Sequence, residues 1–255
     1  MKRIDVLLVD LNHATSRTHA QKLISSGRVK VQFGTQWKVI TKPSFKLDGS
    51  EPLEIESHEE DKYASRGGLK LEGALKDNGI DVTNMIGLDV GCSTGGFTDC
   101  LLQAGAKHVV GVEVGHDQLV QKLRNDSRVT LYEGINAREL DPALVLPHTD
   151  DNEGFDIVVM DVSFISQTKI LPALAPVMKT GGHLVSLVKP QFEVGKEGIG
   201  KGGIVKDPAL YKKVEKDIRE MCSNLGMTVK NYTESPIKGG DGNREFLIWA
   251  VKEGS

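Results

Sequence analysis

An apolar strand, a glycine-rich turn and the start of a helix follow one another in Ile86-Gly-Leu-Asp89-Val-Gly91-Cys-Ser93-Thr-Gly95-Gly96-Phe97. That succession commits the chain to a strand-turn-helix unit built for a ligand. Glycines admit close backbone approach, and the first helical turn leaves N–H groups unpaired. The glycine order is G-x-x-x-G-G, not the G-x-G-x-x-G that seats a dinucleotide pyrophosphate. Asp89 sharpens the distinction, because a carboxylate at the mouth of the turn repels phosphates and favours a cation. S-adenosylmethionine, which carries an ammonium and a sulfonium, suits such a turn better. Asp89, Gly91, Ser93, Gly95, Gly96 and Phe97 are therefore its expected contacts.

From Tyr63 onward the patterning alternates between strand and helix. It predicts helices over 65–78, 95–104, 117–124, 167–179 and 208–225, the last capped by Asp207 with Pro208 at its first position. Strands are predicted over 86–90, 108–113, 129–132, 155–161, 182–188, 227–233 and 245–251. Alternation of this kind implies a doubly wound, mostly parallel α/β sheet of Rossmann-like form, with ligands at the carboxyl edge of its strands. A length of 255 residues accommodates that domain and an appendage.

The appendage is N-terminal and basic. Residues 1–46 hold nine Lys and Arg against two acids, Asp5 and Asp10, although the chain as a whole has net charge −3. A basic module on an acidic body reads as a polyanion grip, against the plainer reading of a solvated basic face. Ile4, Leu7 and Leu8 share a helical face, and Ser16 caps a second helix that Gly27 stops. Val29, Val31, Trp37, Val39 and Ile40 supply strands, Lys42-Pro43 a turn, and Leu53–Ile55 closes a small sheet. The acidic stretch 54–61 reads as a linker, which divides the chain into a small α+β domain over 1–60 and a larger domain over 61–255. No apolar run approaches the roughly 20 residues that span a bilayer, and no secretory signal is apparent, so a cytoplasmic protein without membrane association is expected. The three cysteines form no C-x-x-C pair, and no metal site is expected.

Glu113 ends the second strand, where an acid bonds a ribose diol or caps the next helix near Asp117. Asn136 follows the third strand, where it meets an adenine edge or serves as a turn residue. Asp161 closes the fourth strand at the edge where catalytic groups collect. No Pro-Pro-aromatic sequence follows it, as amino-directed nucleic-acid methylation would need, and no cysteine stands where carbon-directed methylation would need one. An oxygen nucleophile remains. Lys189 ends the fifth strand, Glu245 opens the last, and Lys70 lies on the helix before the first. Two lysines and two acids on separate elements form a candidate network of alternating charge. A ribose hydroxyl needs such help, since it must lose its proton as the methyl arrives. Lys189 would serve as general base if its neighbours held it neutral, or would stabilise the developing alkoxide if they held it charged.

Over residues 3–43 the pattern R-I-D-V-L-L-V…S-R-T-H-A-Q-K-L-I-S-S-G-R-V-K-V…V-I-T-K-P resembles the RNA-binding domain named after ribosomal protein S4. The four-residue set Lys70, Asp161, Lys189 and Glu245 resembles that of FtsJ-type ribose 2'-O-methyltransferases. With Tyr63-x-Ser-Arg66-Gly67, Lys189-Pro-Gln-Phe-Glu193 and Ser235-Pro-Ile237…Gly242-Asn-Arg-Glu245, the whole chain resembles the TlyA (hemolysin A) family. The resemblance implies an S-adenosylmethionine-dependent enzyme that methylates cytidine 2'-hydroxyls of ribosomal RNA, with those four residues as its catalytic tetrad and Asp161 also beside the cofactor. It implies RNA contacts from Arg3, Arg17, Lys22, Arg28, Lys30 and Arg66. The glycine loop 195–203, with Lys196, Lys201 and Lys206, reads as a phosphate-contacting lid or as a flexible connection. An RNA-binding protein without catalysis is the rival reading. A membrane-damaging protein, as the family's older name suggests, fits the sequence least.

Overall fold

Two compact units make up the chain, Met1–Lys62 and Tyr63–Ser255. The computed structural model describes residues 1–254; Ser255, which ends the expected second domain, lies outside the described residues.

The first unit starts with β1 (Lys2–Arg3), α1 (Ile4–Asp10) and α2 (Arg17–Ser25). Ile4, Leu7 and Leu8 bury the inner face of α1, and Ser16 Oγ accepts the His19 N–H at 3.1 Å to cap α2. Gly27 turns the chain at φ 76°, the left-handed region that suits glycine. Beyond it lie β2 (Val29–Phe33), β3 (Gln36–Val39), β4 (Lys46–Leu47) and β5 (Leu53–Ile55). β3, β2 and β5 form an antiparallel sheet, while β1 pairs with β4. The stretch 54–61 is more than a linker. Glu54 and Ile55 belong to β5, and the Asp61 carboxylate accepts from the Arg28 guanidinium and from the His58 N–H.

The second unit runs α3 (Gly67–Asp77), β6 (Ile86–Val90), α4 (Gly96–Gln103), β7 (His108–Glu113), α5 (Gln121–Arg124), β8 (Val129–Glu133), α6 (Pro142–Val145), β9 (Phe155–Met160), α7 (Leu171–Leu174), β10 (Met178–Val188), α8 (Ala209–Asn224), β11 (Met227–Glu234) and β12 (Phe246–Lys252). Its sheet has the order β11-β12-β10-β9-β6-β7-β8, parallel from β10 to β8, with β12 antiparallel to both neighbours. All five residues of β6 are buried, as expected for a central parallel strand covered on both faces. One face packs Leu88, Val110, Val158 and Leu184, and the other packs Leu71, Leu101, Ile157 and Val185.

Two expected helices are corrected. The segment 117–124 is helical only over α5, because Asp117 adopts a left-handed φ of 57° and Val120 is extended. The segment 167–179 is broken into a short 3₁₀ turn, α7 and a second 3₁₀ turn, and its last two residues join β10. Pro172 and Pro176 lack the N–H that a continuous helix requires. The doubly wound architecture itself matches expectation. The chain leaves β6 outward to β7 and β8, then crosses to β9 on β6's other side, which makes the β6/β9 boundary the switch point where ligands bind.

Candidate active site

A cleft of about 530 Å³ opens at this switch point. Its walls include Gly91 after β6, Glu113 at the end of β7, Asn136 after β8 and Asp161 after β9, together with Ser93. Gly91 has φ 75°, and a Cβ there would come within 2.7 Å of the Asp161 carbonyl, so glycine lets the two strand ends pass. Glu113 is held in place by backbone donors: Oε2 accepts from the Ser93 N–H at 2.9 Å and Oε1 from the Gly115 N–H at 3.0 Å. Asn136 Oδ1 accepts the Arg138 N–H at 3.1 Å, so it is a local cap as well as a wall residue.

The other expected cofactor residues stand back from the cleft. A Cβ on Gly95 would strike Leu123, and one on Gly96 would strike Ser65, so both glycines serve helix packing. Phe97 lies in the core. Asp89 is not at the mouth of the turn but fully buried. Thr98 Oγ1 donates to its Oδ2 at 2.6 Å, while Oδ1 finds no partner among the described residues. Burial pushes the Asp89 carboxyl up to about 7, against the Thr98 hydrogen bond and reinforced by the nearby Asp161 charge. Asp89 Oδ1 thus lies buried behind the glycine turn, off the cleft wall, with no donor among the described residues.

The four ionisable residues form two ion pairs. Lys70, on the inner face of α3, reaches Glu245 at 2.5 Å, and both side chains are buried. Lys189 Nζ lies 2.5 Å from Asp161 Oδ1, in a geometry without hydrogen-bond alignment, and donates to Ser163 Oγ at 3.1 Å. Sheet register brings the pairs together. Val188 pairs with Phe246 across β10 and β12, so Lys189 and Glu245 are the next residues on either side. On α3, Gly67 lies near Asp161 as well, since a Cβ there would sit 3.6 Å from Asp161 Oδ2.

Sequence reading gave no role to Thr98, Ser163 or Phe164. Phe164 is 90 % exposed on the cleft wall, has φ 64°, and its ring centroid lies 5.0 Å from that of Phe192. A positive φ at a bulky aromatic residue leaves no signature in the sequence. Nor is the glycine loop 195–203 untethered. Asn243 is buried, donates from Nδ2 to the Gly203 carbonyl at 2.9 Å, and accepts the Val205 N–H through Oδ1 at 3.3 Å.

Within the first unit, the expected RNA-contacting cations differ in availability. Arg3 and Arg17 both donate to the buried Asp5 carboxylate but keep side-chain exposures of 41 % and 58 %. Arg28 is only 14 % exposed and is committed to Asp61 and to the Glu56 carbonyl. Lys22 is exposed and Lys30 half-buried. In the second unit, Arg66 is exposed just before α3.

Comparison with known proteins follows the same division. The FtsJ-like methyltransferase family model matches residues 63–252, and the S4 domain model matches residues 2–53. The chain is 39 % identical over 247 residues to the 16S/23S rRNA (cytidine-2'-O)-methyltransferase TlyA of Mycobacterium tuberculosis, covering 97 % of this chain and 88 % of that one. It is 40 % identical over 245 residues to hemolysin A of Brachyspira hyodysenteriae, covering 96 % and 98 %. A solved structure from Streptococcus thermophilus, described as a "putative hemolysin", matches with TM-score 0.74 at 41 % identity, covering all of this chain and 89 % of that one. The chain belongs to the TlyA (hemolysin A) family, in which an S4 domain is joined to an FtsJ-like methyltransferase.

Proposed function

We propose that the protein transfers a methyl group from S-adenosylmethionine to a ribose 2'-hydroxyl of ribosomal RNA, at a cytidine, as the name of its Mycobacterium tuberculosis relative says of that protein. The observation that carries the reading is the pair of lysine–carboxylate contacts at the carboxyl edge of the sheet, one of them on the cleft wall.

The residues present fit the cofactor. Glu113, fixed by two backbone donors, retains lone pairs for a ribose diol, and the unpartnered Asp89 oxygen supplies negative charge under the glycine turn. When bound, S-adenosylmethionine supplies an electrophilic methyl. The chain's own task is to present the hydroxyl. Lys189, directed by Asp161 and Ser163, donates to the 2'-oxygen and steadies the charge that develops there. Asp161, on the cleft wall, accepts the departing proton. Lys70 and Glu245 balance the local charge, so that the four residues together carry no net charge when all are ionised. Phe164, exposed at the rim, offers a face on which a base can stack. In the first unit, Lys22, Lys30 and the half-exposed Arg3 and Arg17 meet phosphates, whereas Arg28 acts chiefly within the fold.

The test is tritium transfer from labelled cofactor to ribosomal subunits. Lys189→Ala should lose at least about a hundredfold in rate while still binding RNA, the scale of losing one oxyanion donor. A fully active Lys189→Ala protein would remove the catalytic assignment. Transfer by neither protein would favour RNA binding without catalysis.

A further inference from the structure

Asp161 and Ser163 lie on the loop that follows β9, and Lys189 on the loop that follows β10. The two halves of one ion pair thus sit on separate loops. A lysine side chain with four rotatable bonds does not fix the spacing of the backbones that carry it. The β9 loop is also strained, because Phe164 occupies the left-handed region with no core packing around its exposed side chain. The Phe164–Phe192 ring pair, 5.0 Å between centroids, is one further contact between the loops, and a second runs through hydrogen bonds.

Glu193, four residues beyond Lys189, reaches across. Its Oε2 accepts from Ser166 Oγ at 2.5 Å and its Oε1 from the Gln167 N–H at 2.8 Å, both at the end of the β9 loop. Its own backbone is fixed by the turn Pro190–Phe192, since the Glu193 N–H donates to the Pro190 carbonyl at 2.9 Å. From Gln167 the bonds continue into the sheet. Gln167 Nε2 donates to the Leu187 carbonyl at 2.6 Å, and Gln167 Oε1 accepts from Ser186 Oγ at 2.9 Å. Gln167 and Ser186 are buried, so this thread is shielded from competing water. Glu193 itself is not on the cleft wall, and burial raises its carboxyl above the usual range, with the Gln167 and Ser166 bonds opposing. A carboxylate in that setting carries a desolvation cost that an apolar residue would avoid. Its contacts with the neighbouring loop are what offset it.

We propose that Glu193 is a positioning residue: it clamps the β9 loop to the β10 loop and so keeps Asp161 and Ser163 in register with Lys189. It acts through those residues and touches neither RNA nor cofactor. The kinetic consequence rests on the methyltransferase reading above; the structural consequence does not.

The experiment uses the full chain, with hydrogen exchange read by mass spectrometry and single-turnover methyl transfer to ribosomal subunits. In Glu193→Ala, exchange over 161–167 should quicken about tenfold or more as the loop opens locally, with β6 and α8 unchanged. The transfer rate should fall about ten- to a hundredfold, the scale of a small misplacement of reacting groups, with cofactor affinity unchanged. Glu193→Gln can still accept the Gln167 N–H and can donate to Ser166 Oγ, so it should restore most of the rate. Ser166→Ala, which removes one of the two bonds, should fall between. Unchanged exchange over 161–167 in Glu193→Ala overturns the proposal. So does an unchanged rate, a loss confined to substrate or cofactor affinity, or a Glu193→Gln protein as impaired as Glu193→Ala. If Glu193→Ala does not fold, Ser166→Ala decides by the same exchange measurement. If the unmodified protein transfers no methyl, the functional reading fails, and exchange alone decides the role of Glu193.

Discussion

Asp5 in the first unit and Asp89 in the second are both fully buried aspartates, yet their surroundings drive them in opposite directions. Asp5 accepts from Arg3 at 2.9 and 3.0 Å, from Gln21 at 2.9 Å and from Arg17 at 3.3 Å. The Arg3 hydrogen bonds, above all, hold its carboxyl well below the usual range in spite of burial. Asp89 has one donor, Thr98, and burial drives its carboxyl up to about 7. Burial alone therefore says little about a carboxylate's purpose. A buried acid whose lone pairs are all met is part of the scaffold. One left partly unmet is a candidate for a ligand the scaffold does not contain.

The strongest way to break this contrast is to remove Asp5. Asp5→Ala should destabilise the first unit by about 2–3 kcal/mol, less than a two-sided buried pair because both arginines can turn to water. Urea denaturation would measure it, and a loss no larger than that of an average surface substitution would sink the scaffold role. Asp89→Asn should behave differently. It should leave the cofactor-free protein as stable at pH 8 or more so, yet weaken S-adenosylmethionine binding about tenfold or more by calorimetry, or about 1.4 kcal/mol. Unaltered affinity would place Asp89 with Asp5.

The smallest effect is a slope with pH. Asp5 has a depressed folded pKa, so its stabilisation is complete above the ordinary aspartate range and is lost only as pH falls below it. Asp89 has a raised one. The cofactor-free protein therefore loses stability as pH rises from 3.8 to about 7, and the loss levels off above that. A cationic cofactor favours the ionised form, so its affinity should rise several-fold over pH 6 to 8. Asp89→Asn should flatten both slopes. A slope that persists in that variant would assign the titration to another group.

Much of this molecule was legible in advance. β6 and β7 have the predicted limits, and the capped α2, the stop at Gly27 and the parallel alternation are as read. These features rest on periodicity and turn chemistry, which act over a few residues. The two broken helices fail on the same local scale: Pro172 and Pro176 interrupt 167–179, and the left-handed Asp117 and extended Val120 shorten 117–124. Asp89 is a different case. Its position at a strand end is local, but its depth depends on α4 closing over it through Thr98.

By itself, then, the sequence determined most of the strands and helices of the larger domain, where glycine had to stand, and which ionisable residues end at the edge of the sheet. Tertiary structure decided the partnerships: Lys70 with Glu245, 175 residues apart, and Lys189 with Asp161 and not the reverse. It also decided that Arg28 is spent inside its own unit and that Glu193 spans two loops. The physical reason is that strand order and register set which chain ends meet, and neither is encoded in any single stretch of the chain. A carboxylate's charge state follows from those meetings, through the donors and the water that the finished fold leaves around it.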